Sequence, residues 1–187
     1  MMETAVILAA GKGTRMGHLT AEAPKPMLPL AGKPMLEHIL DRLRAAGIRR
    51  ALLVIGYRGE LIRAHLEGYP MEIEYRVQEA ANGTGSAALL AQDFASNGPF
   101  LLTFGDILCS VEDYRGLMAK LDEEAVGVLG VKYVDDPAPG AAVYEENNRV
   151  VRIVEKPPVG TSTTHWNSAG LYAFRPVLFE ELRVLPL

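Results

Sequence analysis

Thr4-Ala5-Val6-Ile7-Leu8-Ala9-Ala10-Gly11-Lys12-Gly13-Thr14-Arg15-Met16-Gly17 is the stretch on which the fold turns. Its first seven residues form a β-rich apolar run that suits a buried strand. The run breaks directly into glycines, which let the backbone take φ > 0 and approach a ligand closely. N–H groups in such a loop form an anion-binding concavity. Lys12 and Arg15 add positive charge, so a polyphosphate is the natural guest. Two familiar phosphate loops do not fit. The pattern G-x-x-x-x-G-K-[ST] fails because Gly13 follows Gly11-Lys12 and Val6 stands in the first glycine place. The pattern G-x-G-x-x-G fails at Met16, with Gly17 one residue late. A bare strand-to-helix turn is the alternative, but it has no need of two basic residues among three glycines.

Outward from this stretch, apolar runs alternate with amphipathic ones. In residues 34–46, Leu36, Ile39, Leu40 and Leu43 fall at i, i+3, i+4 and i+7, one helical face, and Gly47 stops the helix. Strands are expected at 51–55, 71–77 and 100–104, and helices at 60–66, 86–94 and 111–121. This β-α-β-α-β-α-β-α order is the signature of a parallel sheet covered on both faces. From residue 125 the pattern changes to strands at 125–134, 141–145 and 150–155, with a hairpin turn at Asn147-Asn148. A strand at 171–174 and a helix at 176–183 close the chain. The expectation is one domain over residues 1–187, with halves of about 1–122 and 123–187.

Composition excludes several classes. At 187 residues the chain is about one domain and buries roughly 70% of its unfolded surface, so it needs no staples. Hydrophobic residues at 49% and charged residues at 22% argue against disorder. A net charge of −4 without a basic block leaves no nucleic-acid footprint. No apolar run approaches the ~18 residues of a membrane helix, and the N-terminus does not read as a signal peptide. The lone Cys109 fits a reducing compartment, so a cytoplasmic enzyme or small-molecule binder is expected.

In open α/β sheets ligands lie outside the carboxyl ends of the strands, which points to the segments after Ala10, Val77, Phe104 and Glu155. Near the first of these, Pro24-Lys25-Pro26 holds a lysine in a proline frame that limits where it points. A stiff lysine beside a phosphate loop suits phosphoryl or nucleotidyl transfer, where catalysis is positioning plus electrostatics. Gln78, after the third strand, offers a paired donor and acceptor to a base edge, with Gly83 and Thr84 close behind. Asp106 ends a buried strand, where a carboxylate among phosphates is a candidate Mg²⁺ ligand. The histidines form no zinc cluster, and His38 and His65 read as helix-surface residues.

Leu8-Ala9-Ala10-Gly11-Lys12-Gly13-Thr14-Arg15-Met16, followed by Pro24-Lys25-Pro26-Met27-Leu28-Pro29-Leu30-Ala31-Gly32-Lys33-Pro34-Met35, resembles the opening of the sugar-1-phosphate nucleotidyltransferases. The resemblance implies a Rossmann-like three-layer α/β/α sandwich around a mixed, mostly parallel sheet. It also implies an enzyme that joins an NTP to a sugar 1-phosphate with Mg²⁺, giving an NDP-sugar and pyrophosphate. By it, Leu8, Ala10, Gly11, Gly13, Thr14, Gln78, Gly83 and Thr84 bind the nucleotide; Arg15 and Lys25 are catalytic; Asp106 holds the metal. Gln78, five residues before Gly83, favours UTP or dTTP. Glu155 and Lys156 match the family's E-K-P element and, with Asn167 and Ala141, would meet the sugar phosphate. Two places depart from the pattern. Ser168 stands where the family has Asn, with Asn167 one early; Ala141 stands where it has Gly, with Gly140 adjacent. The family's domain continues to a second metal-binding Asp, so a truncated domain is the expectation here. NTP and sugar 1-phosphate would be the only partners besides a homo-oligomer, which is left open. The alternatives are a non-catalytic nucleotide-sugar module, a guanylyl- or cytidylyl-transferring relative, and a nicotinamide enzyme, against which Met16 and the Pro-Lys-Pro frame count.

Overall fold

The computed structural model describes residues 2–11, 13–20, 22–80 and 82–185. In chain order the elements are β1 (Thr4–Ala9), a 3-10 stretch (Thr14–Thr20) and a 3-10 turn (Lys25–Met27). A small ribbon of β2 (Pro29–Leu30) and β3 (Lys33–Pro34) follows, then α1 (Met35–Ala46), β4 (Arg50–Ile55), α2 (Gly59–His65) and β5 (Glu72–Val77). Next come α3 (Thr84–Leu89), α4 (Gln92–Ala95), β6 (Phe100–Phe104) and α5 (Val111–Lys120). The chain ends with β7 (Gly127–Tyr133), β8 (Ala141–Glu146), β9 (Arg149–Glu155), β10 (Trp166–Phe174) and α6 (Leu178–Val184). Two compact units are formed, Met1–Val128 with Tyr172–Leu187, and Leu129–Leu171. Among the described residues no helix is long and apolar enough to cross a membrane.

In the first unit the strand order is β5-β4-β1-β6, all parallel, with Thr4 level with both Arg50 and Phe100. Alternation sorts the side chains. Val6, Leu8, Leu52, Val54, Phe100 and Leu102 join Ala87 and Ala88 of α3, Ala91 after it, Phe94 of α4 and Phe179 of α6 in one buried cluster. Phe100 stacks on Phe179 at 5.3 Å. The alternate set, Ala5, Ile7, Leu53, Ile55 and Leu101, is fully or almost fully buried as well. Both faces are therefore covered, as the near-continuous apolar strands require.

Helix α1 forms where the 3.6-residue period placed it. Leu36, Ile39, Leu40 and Leu43 are all completely buried, each worth roughly 1.5–3 kcal/mol of transfer free energy. Gly47 ends the helix in the left-handed region at φ 110°, its N–H donating to Arg44 O while that of Ile48 donates to Leu43 O. Helix α5 starts on a capping box, Ser110 Oγ accepting from Asp113 N–H at 3.0 Å and the Asp113 carboxylate from Ser110 N–H at 2.9 Å.

A charged network braces α1. Lys33 pairs with Asp41 and, at 3.5 Å, with Glu37; Tyr69 donates to Asp41 at 2.6 Å; His65 meets Glu37 at 2.8 Å. Burial pushes the Asp41 carboxyl up, but hydrogen bonds from Lys33 and Tyr69 outweigh it and hold it below its ordinary 3.8. A depressed acid contributes stability above its ordinary value and loses it as pH falls through the folded one. Asp41→Asn is expected to cost less than about 1 kcal/mol at pH 7, screened as the pair is. Urea titrations at pH 7 and pH 3 check this: the gap between variant and wild type closes in acid, and a gap equal at both pH values contradicts it.

In the second unit β8 and β9 form an antiparallel hairpin, Ala141 opposite Glu155. Its turn is the expected one: Asn147 and Asn148 both take positive φ, at 52° and 61°. β10 pairs with β8 at Asn167 opposite Ala142, and β7 pairs with β10.

Three elements differ from the sequence reading. The helix expected at 86–94 is two short helices, α3 and α4, broken at Leu90 and Ala91. The strand expected at 171–174 begins five residues earlier, at Trp166. The ribbon of β2 and β3 was not foreseen; it turns on Ala31 (φ 48°) and Gly32 (φ 89°).

Candidate functional site

The chain runs from β1 to β4 and β5 on one side, then returns to β6 on the other side of β1. The strand order thus reverses beside β1, and the carboxyl ends of β1 and β6 flank a topological switch point, where open α/β sheets bind ligands. A cavity of about 650 Å³ opens there, all of it within the first unit. It brings together nine of the residues singled out above: Leu8, Ala10, Gly11, Gly13, Lys25, Gln78, Gly83, Thr84 and Asp106. Lys12 and the side chains of Thr14 and Arg15 lie outside the described residues.

Backbone bonds build the floor. Gly105 N–H donates to Leu8 O at 2.9 Å, and Gln78 N–H to Ile55 O at 2.8 Å, locking the strand ends together. Gly13 sits at φ 63°, and a Cβ there would lie 3.0 Å from Thr20 Cγ2 and 3.1 Å from Lys25 Cβ. Only glycine both takes that conformation and lets Lys25 pack so closely. The Thr20 hydroxyl, buried, lies 3.1 Å from Gly13 O and tightens the loop.

The proline frame acts as its sequence suggests. Pro24 is extended, Lys25–Met27 make one 3-10 turn, and Met27 N–H closes it on Pro24 O at 2.8 Å. Pro26 is buried against Gly105, where even a Cβ would come within 2.8 Å of the proline ring. The frame aims Lys25 Nζ at Asp106 Oδ2, 2.5 Å away, across 81 residues of chain. The two side chains are 34% and 30% exposed, so the pair faces the cavity rather than a dry core.

Gln78 uses its amide nitrogen internally, donating to Asn82 Oδ1 and to Gly83 O, both at 3.1 Å. Its carbonyl oxygen is the atom left to offer a ligand. Tyr57, Glu79, Met16 and Phe104 also line the cavity and were not singled out from sequence. Tyr57 follows β4, whose end the strand-end rule covers as fully as those of β1, β5 and β6. Its neighbour Arg58, at φ 52°, donates to Glu22 O at 2.5 Å and pins the segment that leads into Pro24.

The other four residues singled out lie in the second unit, where they are neighbours of one another. Ala141 pairs with Glu155, and Lys156 N–H donates to Gly140 O at 2.7 Å. Asn167 is buried, donating to Pro137 O at 3.3 Å, and fills the space a Cβ on Gly140 would need. The Gly and Asn that each stand one place early thus pack on each other. Lys156 has a left-handed backbone, φ 44°, and its Nζ lies 3.7 Å from Glu155 Oε1.

Known proteins resemble this chain in sequence and in fold. Residues 4–185 match the nucleotidyl transferase family. The "Bifunctional protein GlmU" of Methanococcus maripaludis (strain C5 / ATCC BAA-1333) is 35% identical over 183 residues, covering 94% of this chain and 41% of that protein. The "Mannose-1-phosphate guanylyltransferase catalytic subunit beta" of Dictyostelium discoideum is 32% identical over 189 residues, covering 97% and 52%. This chain therefore spans about half, or less, of these curated relatives. Among solved structures, a UDP-glucose pyrophosphorylase complexed with UDP-glucose superposes with a TM-score of 0.87 at 21% identity, over 98% of this chain and 80% of that one. That likeness concerns the fold, a mixed, mostly parallel sheet with helices. With the glycine loop, the framed lysine and the strand-end carboxylate gathered at one switch point, the chain belongs to the nucleotidyl transferase family.

Proposed function

We propose that this protein joins a nucleoside triphosphate to a sugar 1-phosphate, giving an NDP-sugar and pyrophosphate. The observation that carries the reading is the Lys25–Asp106 pair, held at 2.5 Å beside the glycine loop. A phosphate oxygen of the sugar 1-phosphate attacks the α-phosphorus in line, one P–O bond forms, and the bond to the β-phosphate breaks. The sugar phosphate brings its own nucleophile, so the protein supplies position and charge. Lys25 faces the charge developing on the α-phosphoryl oxygens, and Gly11 and Gly13 offer backbone N–H groups to the triphosphate. Arg15 takes the departing pyrophosphate; Glu155 and Lys156 take the sugar hydroxyls and phosphate. Asp106, partly exposed and lining the cavity, fits Mg²⁺, which takes one or two carboxylates and fills the rest of its shell with phosphate oxygens and water. Bound there, Mg²⁺ would neutralise triphosphate charge. The free thiol of Cys109 supports a reducing, cytoplasmic setting.

The base preference rests on Gln78. With its NH₂ engaged, its oxygen accepts from an imide N–H, which uracil and thymine carry and cytosine and adenine lack. Guanine also has a ring N–H, and Glu79 at the cavity wall makes GTP the rival. Pyrophosphate release from ATP, CTP, GTP, UTP and dTTP, each with a panel of sugar 1-phosphates and Mg²⁺, decides it. UTP or dTTP is expected to be fastest, and Gln78→Ala to lower kcat/KM for that nucleotide about tenfold or more. A GTP preference would move the assignment to guanylyl transfer. No turnover with any pair, alongside tight NDP-sugar binding, would make the chain a non-catalytic binding module.

A further inference from the structure

Lys156 is a non-glycine residue in the left-handed region, φ 44°, and such a backbone persists only where its surroundings over-determine it. The surroundings are two loops of the second unit. One runs from Val134 to Gly140 ahead of β8; the other runs from Lys156 to Thr161 after β9. At its near end the second loop is fastened by Lys156 N–H to Gly140 O, 2.7 Å. Pro157 and Pro158 come next and have no N–H to give. At its far end the loop is fastened by one side chain: Asp136 Oδ2 accepts from Gly160 N–H at 2.9 Å, across 24 residues. The other oxygen, Asp136 Oδ1, accepts from Ala138 N–H at 2.9 Å and so folds its own loop. That loop is closed further by Gly140 N–H on Pro137 O at 2.9 Å and by the buried Asn167 amide on the same oxygen. One carboxylate thus spans both loops, with each oxygen in a charge-assisted bond to a backbone N–H.

We infer that Asp136 is a positioning residue for Lys156: it clamps the Lys156–Thr161 loop onto the turn before β8 and so sets where the Lys156 ammonium stands. The effect of Asp136 passes through the backbone of Gly160 and the two prolines. This rests on the reading of Lys156 as a sugar-phosphate contact. A lysine misplaced by about 1 Å weakens the hold on one substrate while leaving the Lys25–Asp106 chemistry as it was.

The test uses the whole chain and two variants. Asp136→Ala removes both bonds; Asp136→Asn keeps one acceptor oxygen and the size, and serves if the alanine variant folds poorly. Asp136→Ala is expected to raise KM for the sugar 1-phosphate about tenfold, with KM for the NTP and kcat each within about threefold, and Asp136→Asn to fall between. A merely structural role would instead lower kcat and raise both KM values together, and that result overturns the inference, as does an unchanged sugar-phosphate KM. Amide hydrogen exchange across residues 156–161 reads the clamp without turnover: Gly160 N–H is expected to exchange at least about tenfold faster in Asp136→Ala, and equal protection overturns the clamp. If wild-type protein turns over no substrate pair, the proposed function fails, while the exchange result still decides the clamp.

Discussion

Lys25→Ala is expected to lower kcat for pyrophosphate release by roughly a hundred- to a thousandfold while the protein stays folded. The loss follows from where the ammonium sits. It is aimed into the cavity by a turn between two prolines, beside the glycine loop, and a preorganised charge facing a developing charge is worth about 3–4 kcal/mol in such a site. The structural cost is small because the pair with Asp106 is about one-third exposed on each side, and exposed pairs contribute about 0–1 kcal/mol. Asp106 left alone is solvated by the cavity. Thermal melting within a few degrees of wild type, with turnover nearly abolished, is the expected outcome; a kcat within threefold would remove Lys25 from the chemistry.

Asp106→Asn separates charge from shape. Asparagine keeps an oxygen that can accept from Lys25, so the fold around Gly105 and Pro26 stands. What goes is the negative charge that a divalent cation requires. Turnover at about 1 mM Mg²⁺ is expected to fall on the order of a hundredfold, with part of it recovered as Mg²⁺ rises and the activation midpoint shifted upward. An unshifted midpoint would mean that Asp106 serves only to hold Lys25. In that case the double variant Lys25→Ala with Asp106→Asn would be no worse than Lys25→Ala alone, the mark of two residues acting as one unit.

The first half of the fold was legible because its signals are local and redundant. α1 announced itself by four apolar positions and a glycine stop, and β6 by five apolar or β-favouring residues before Gly105. The break between α3 and α4 carries no such mark. Residues 87–95 hold neither glycine nor proline, and the small side chains Ala87, Ala88, Ala91 and Ala95 reach one buried cluster across the break. The sequence signal for β10 starts late because Asn167, Ser168 and Gly170 are weak strand formers; pairing with β7 and β8 carries the strand through them, with Gly170 at φ 70° inside it. At the candidate site, type and place single out the glycine loop, Lys25, Gln78 and Asp106, and one cavity brings them together. Tyr57 and Asp136 could not be assigned their parts. A tyrosine after a strand has no single meaning, and an Asp-Pro in a loop says nothing of a glycine amide 24 residues away.

The Lys25–Asp106 pair also has a bearing on how the molecule comes to be active. Its members are 81 residues apart, and the strands that precede them in the chain, β1 and β6, meet only when Thr4 comes level with Phe100. Parallel pairing over so long a loop is entropically slow, so it belongs late in folding. Chains that have assembled β1, β4 and β5 already hold a helix-covered sheet, yet they have one half of the proposed centre. Recovery of turnover after dilution from denaturant should therefore lag behind recovery of helix, and it should track the docking of a single strand.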